Sequence, residues 1–161
     1  MALKIIFLDF DGVLNSATFP TGEEFPPIWF DSRLVTKIND IIRDQLAEVK
    51  FVISSDWRHG RSIAQLQGLL EDGGNFIGEI VGCTGDRGAN FSMHDSRALE
   101  KARAWEISDW LLANSDVTHW IVLDDLDLGL QWLVRTDHRT GISDVDVEVA
   151  RKMLSDPIRS V

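Results

Sequence analysis

Apolar residues along this chain come in two rhythms. Short unbroken runs recur at Ile5-Ile6-Phe7-Leu8, Phe51-Val52-Ile53 and Trp120-Ile121-Val122-Leu123, with weaker ones over 80–84 and at Trp132-Leu133-Val134. Apolar, partly β-branched runs of this length read as buried strands. Between them, apolar positions recur every three or four residues, the helical rhythm. Asp31 or Ser32 caps a helix predicted to reach about Glu48, with Leu34, Val35, Ile38, Ile41, Ile42 and Leu46 on its inner face. A second helix is predicted from about Arg61 to Glu71 and stopped by Asp72-Gly73-Gly74; a third spans 99–114, and a fourth runs from Ser143 or Asp144 to about Leu154.

Strands alternating with helices imply a parallel sheet covered on both faces. The expected fold is therefore α/β: a Rossmann-like three-layer sandwich with a central five-stranded parallel sheet, formed as one domain over 1–161. Two stretches have no period. Residues 16–30 hold three of the four prolines and read as a flap over the end of the first strand, anchored by Phe19, Phe25, Trp29 and Phe30. Residues 85–96 read as an irregular loop. Neither is long enough for a sizeable cap domain.

The strand ends carry the candidate chemistry. The first strand runs out into Asp9-Phe10-Asp11-Gly12, the second into Ser54-Ser55 and the fourth into Asp124-Asp125. All three endings fall on the C-terminal edge of the predicted sheet, where open parallel sheets bind ligands. Residues at i and i+2 share a strand face, so Asp9 and Asp11 leave the first strand converging, and Gly12 lets the backbone turn. Carboxylates held that close repel unless a cation lies between them. Mg²⁺, a hard ion that prefers oxygen ligands, is the expected occupant.

Composition narrows the classes. The chain has 161 residues and a net charge of −10, which argues against binding long nucleic acid, since that requires basic residues to neutralise phosphates. Cys83 is the single cysteine, so neither an internal disulfide nor a cysteine-built zinc site is expected. No apolar run approaches the ~20 residues of a membrane span. Asp9 and Asp11 interrupt any signal-peptide pattern, and a cytoplasmic location with no membrane partner is expected.

Taken together, DFDGVLN (9–15), FVISS (51–55) and IVLDD (121–125) resemble the motifs of the haloacid dehalogenase (HAD) superfamily of phosphatases. SSDWR, RAWEISDWL, IVLDD and RTDHRTGIS are similar, more narrowly, to HAD domains associated with RNA-repair proteins. The resemblance implies Asp9 as nucleophile, Asp11 as general acid/base and a phosphate-binding hydroxyl at Ser54, with Ser55 beside it. It implies metal carboxylates at Asp124 and Asp125, either of them the direct ligand, completing a Mg²⁺ site with Asp9 and the Asp11 carbonyl. It also implies a basic residue on the helix before the fourth strand. Lys101 and Arg103 both qualify, and being two apart on a helix they point in nearly opposite directions. The Glu106-Ile107 and Trp110-Leu111 pattern favours Arg103. Gly12, Arg58 and Lys101 are further candidates for substrate binding.

Phosphoryl transfer asks for these groups: an oxygen nucleophile, neutralised phosphoryl oxygens and a proton for the leaving group. A phospho-receiver domain uses similar residues, but there the acidic pair follows the first strand. The DLDLG and DVDVE segments lack the glycine placement of a calcium loop. The expected substrate is a phosphate monoester at an open site, on a nucleotide or an oligonucleotide end. A catalytically silent binding module, or a phosphatase of sugar phosphates or phosphoproteins, is the alternative.

Overall fold

The computed structural model describes residues 2–16, 30–86 and 96–156. Five parallel strands, β1 (Leu3–Leu8), β2 (Val49–Ile53), β3 (Ile80–Cys83), β4 (Val117–Asp124) and β5 (Leu133–Arg135), form one sheet in the order β3-β2-β1-β4-β5. Four helices pack on it: α1 (Ser32–Ile42), α2 (Ile63–Gly74), α3 (Ser96–Ala113) and α4 (Asp144–Ser155). The α/β sandwich and its parallel sheet are as the residue pattern implied.

Strand alternation divides the core into two layers. Ile6 and Leu8 of β1, Phe51 and Ile53 of β2, and Ile121 and Leu123 of β4 join the core beneath α1, α2 and α4. Ile5 and Phe7, Val52, and Trp120 and Val122 face the other way, onto Ile107 and Leu111 of α3. The chain winds outward from β1 through β2 to β3, then returns across α3 to β4 on the other side of β1. The switch of direction therefore lies between β1 and β4, the place where open parallel sheets bind ligands.

Several boundaries differ from the predicted ones. Helix α1 stops at Ile42, not near Glu48, and Leu46 is 44 % exposed. Tight turns take over, with Gln45 N–H donating to Ile42 O and Glu48 N–H to Gln45 O, because β2 must begin at Val49 to pair with Lys4. Helix α2 continues through the expected glycine stop and ends at Asn75, whose left-handed φ of 54° closes it. Gly74 is there for packing: a Cβ would lie 2.4 Å from Cβ of Val35, so its absence lets α1 and α2 approach. Helix α3 begins at Ser96, three residues early. The caps at Asp31 and Ser143 form as expected, the latter as a capping box with Asp146. Phe19, Phe25 and Trp29 of the predicted flap, and most of the 85–96 loop, lie outside the described residues.

Candidate active site

The alternation that builds the core also aims the polar strand ends. Asp9 continues the face of Ile5 and Phe7, Ser54 that of Val52, and Asp124 that of Trp120 and Val122. All three point to the α3 side of the sheet, where the apolar core runs out. The ladder still holds their backbones: Asp9 N–H donates to Leu123 O and Ser54 N–H to Leu8 O, both at 3.0 Å.

Helix α3 supplies the opposing charge. Ile107 and Leu111 form its sheet-facing stripe, and Arg103 extends that stripe by one turn toward the sheet's C-terminal edge. Its Nη1 donates to Asp9 Oδ2 and to Asp124 Oδ2, each at 3.0 Å, with all three side chains buried. Lys101 is exposed on the outer side of the helix. Of the two candidates, only Arg103 reaches the carboxylates.

Asp125 joins the cluster from the half-buried mouth. One carboxylate oxygen from each of Asp9, Asp124 and Asp125 lies within 4.8 Å of the others. Gly12, at φ +81°, turns against this group so closely that a Cβ there would meet the Asp125 carboxyl at 2.6 Å. Burial, and then Asp124, push the Asp9 carboxyl well above the ordinary range despite Arg103. Burial likewise pushes Asp124 up to about 6. Burial alone would lower Arg103, but Asp9 and Asp124 outweigh it and hold the guanidinium protonated. Full ionisation of three carboxyl groups against one guanidinium would leave a surplus of negative charge. An all-oxygen donor set with that surplus fits a hard divalent cation.

Ser54 Oγ is buried at the same edge and has no hydrogen-bond partner among the described residues. Ser55 Oγ accepts from Trp57 N–H and so caps a single 3-10 turn, Asp56–Arg58. The Asp11 carboxylate stands apart from the acidic cluster and is exposed; it accepts from Asn15 Nδ2 at 2.8 Å and from Trp57 Nε1 at 3.0 Å. The Asp9 and Asp11 carboxylates therefore do not converge on one cation as strand alternation predicted, because β1 ends at Leu8 and Asp11 lies in the turn that follows; its backbone carbonyl is the part of Asp11 left as a metal candidate.

Three expected substrate contacts have other work. Arg58 is buried, and its guanidinium donates to Ser55 O, Gly85 O and Glu106 Oε2. Gly12 N–H donates to Asn15 Oδ1 and its carbonyl accepts from Thr136, so its backbone polar groups are committed. Lys101 points away, as described. Trp57 and Thr136, by contrast, belong to the site's frame; they lie in the SSDWR and RTDHRTGIS segments, but no site role was expected of either. Membership of those segments, and for Trp57 its closeness to the Ser54-Ser55 ending, were the available hints.

A family model described as "HAD domain in Swiss Army Knife RNA repair proteins" matches residues 5–147, from β1 into α4. The chain belongs to this family. The match takes in every element that builds the site, including the β1 and β4 acidic endings and the α3 arginine of this HAD domain. No curated protein and no solved structure matches the chain. No described helix is long and apolar enough to cross a membrane.

Proposed function

We propose that this HAD domain is a Mg²⁺-dependent phosphatase that hydrolyses phosphate monoesters through an aspartyl-phosphate on Asp9. The observation that carries this reading is Ser54 Oγ, buried without a hydrogen-bond partner among the described residues at the sheet edge that bears the Asp9–Arg103–Asp124 cluster. Leaving a buried hydroxyl unsatisfied costs about 1–3 kcal/mol. A purely structural ion cluster gives no reason to keep one there. A phosphoryl oxygen supplies the missing acceptor.

The chemistry follows from the residues. An Asp9 oxygen attacks phosphorus as the bond to the ester oxygen breaks, and the departing oxygen takes a proton from Asp11. Water then attacks the phosphorus of the Asp9 ester and gives its proton to Asp11. The Asp9 carboxylate is restored, and inorganic phosphate leaves. Arg103 and Ser54 hold the phosphoryl oxygens, with the Ser55 hydroxyl hydrogen available to a third. Asp9, Asp124 or Asp125 and the Asp11 carbonyl would hold Mg²⁺, which supplies further neutralisation of the phosphoryl group.

The substrate we favour is a nucleotide or the phosphorylated end of an oligonucleotide. Membership among HAD domains of RNA repair proteins supports it, and the net charge of −10 disfavours a long strand. The test is phosphate release with Asp9→Asn beside the wild type, across mononucleotides, 3′- and 5′-phosphorylated oligonucleotides, sugar phosphates and a phosphopeptide. Loss of turnover by several orders of magnitude in Asp9→Asn is expected. Phosphate binding without turnover in the wild type would mark a binding module instead. Preference for sugar phosphates or phosphopeptides would remove the nucleotide reading alone.

A further inference from the structure

Asp11 is exposed at the mouth of the site, yet its carboxylate is not free to rotate. Asn15 Nδ2 donates to Oδ1 at 2.8 Å, and the indole Nε1–H of Trp57 donates to Oδ2 at 3.0 Å. The Asn15 amide is itself oriented, because its Oδ1 accepts from Gly12 N–H at 3.0 Å. Its NH₂ must then face Asp11.

Trp57 is held more firmly still. Its ring lies near Phe30, with centroids 5.0 Å apart and planes inclined by 31°, and meets Phe10 edge-on at 5.5 Å. The Arg61 guanidinium carbon sits 5.5 Å from the ring centroid, and Arg61 Nη1 donates to Trp57 O. Trp57 N–H is bonded to Ser55 Oγ, so the turn that presents the two serines also presents the indole. Packing this complete fixes the direction of a single N–H, which ends on Asp11.

We propose that the Trp57 indole N–H is a positioning group for Asp11, holding its carboxyl toward the ester oxygen so that proton delivery to the leaving group depends on it. Each carboxyl oxygen has two lone pairs. Asn15 and Trp57 occupy one on each oxygen, which leaves one on each for the transferable proton. Without the indole bond, one side of the carboxyl is released to solvent and the donor must be reoriented in every turnover. This inference rests on the reading of Asp11 as the general acid.

An acid matters most for a poor leaving group, so the readout is the dependence of kcat/KM on leaving-group basicity. That parameter covers the steps up to phosphorylation of Asp9. The probes are 4-nitrophenyl, phenyl and ethyl phosphate, assayed with saturating Mg²⁺. Asp11→Asn is expected to slow ethyl phosphate by roughly 10²- to 10⁴-fold and 4-nitrophenyl phosphate far less. Trp57→Phe keeps a ring in place and removes the donor. It is expected to slow ethyl phosphate by roughly ten- to a hundredfold more than it slows 4-nitrophenyl phosphate. If Trp57→Phe does not fold, replacing Trp57 by benzothienylalanine, which exchanges the N–H for sulfur at nearly constant shape, carries the same comparison. An equal loss across the series, or none, with a steep dependence in Asp11→Asn, overturns the positioning role and leaves the acid in place. A flat series in Asp11→Asn overturns the acid reading and this inference with it.

Discussion

Arg103 Nη1 lies 3.0 Å from Asp9 Oδ2, joining residues 94 apart in sequence across the gap between α3 and the end of β1. The same nitrogen reaches Asp124, so one guanidinium ties the two central strands together where their carboxylates would otherwise repel.

Arg103→Ala should therefore remove nearly all phosphatase turnover, whereas Lys101→Ala should change it little. Loss of a group that meets the transferring phosphoryl costs about 10²–10³ in kcat. Steady-state kinetics on the two variants decides, and a large loss in Lys101→Ala with Arg103→Ala intact would reverse the assignment.

The acidic cluster makes stability depend on pH in an unusual direction. Asp9 and Asp124 are raised above the ordinary carboxyl value of 3.8 in the folded state, Asp124 to about 6. Acids raised in this way contribute stability at low pH, and lose it as pH climbs through the folded value. Asp137, held down to about 2 by Arg139, acts in the opposite sense only in stronger acid. In chelator, the melting temperature should rise as pH falls from about 7.5 to about 5. Mg²⁺ should restore stability at the higher pH and have less effect at the lower. Calorimetry with and without Mg²⁺ measures both; a metal-free chain most stable above neutrality would contradict the cluster's burial.

Gly12→Ala should weaken Mg²⁺ binding more than it weakens the fold. The new methyl group would occupy the place of the Asp125 carboxyl, 2.6 Å away, at a φ that disfavours any side chain. Strain of this kind costs of order 1–3 kcal/mol. Titration of Mg²⁺ by calorimetry, beside thermal melting, separates the two effects; unchanged affinity would place Asp125 outside the metal site.

Arg58 and Glu106 form a buried pair at 3.1 Å, with both side chains 6 % exposed. Removing one partner of such a pair destabilises by about 3–5 kcal/mol. Arg58→Ala and Glu106→Ala should thus each lower the denaturation midpoint, with the double variant well short of their sum. Strict additivity in urea unfolding would show that the pair does not couple α3 to the serine turn.

Cys83 ends β3 half-buried against the main core, and burial raises its thiol above the ordinary value. With a carboxylate as nucleophile, Cys83→Ser should keep activity within about a factor of two, since packing is the thiol's contribution. Inactivation of a fully folded variant would mean that the nucleophile has been misassigned.

The order of elements was legible in the chain because it depends on local rhythm. Apolar runs and helical spacing are set by backbone geometry, and they put Asp9, Ser54 and Asp124 on one sheet edge; alternation also paired Asp11 with Asp9, and there the turn at 11–14 overrode it. Caps such as Asp31 and Ser143 were readable for the same reason. Element ends were less so: α1 stops at Ile42 to satisfy strand pairing, and Gly74 serves a helix contact that no local pattern records. The uses of the long side chains were decided by the tertiary structure. Arg58 looked like a substrate contact until Glu106, 48 residues away, claimed it, and the Trp57 N–H found its use only on meeting Asp11, 46 residues back. Sequence spacing fixes the direction in which a side chain leaves its own element. Which charge or donor waits there depends on how separate layers pack, and that contact forms only when the sheet and α3 come together.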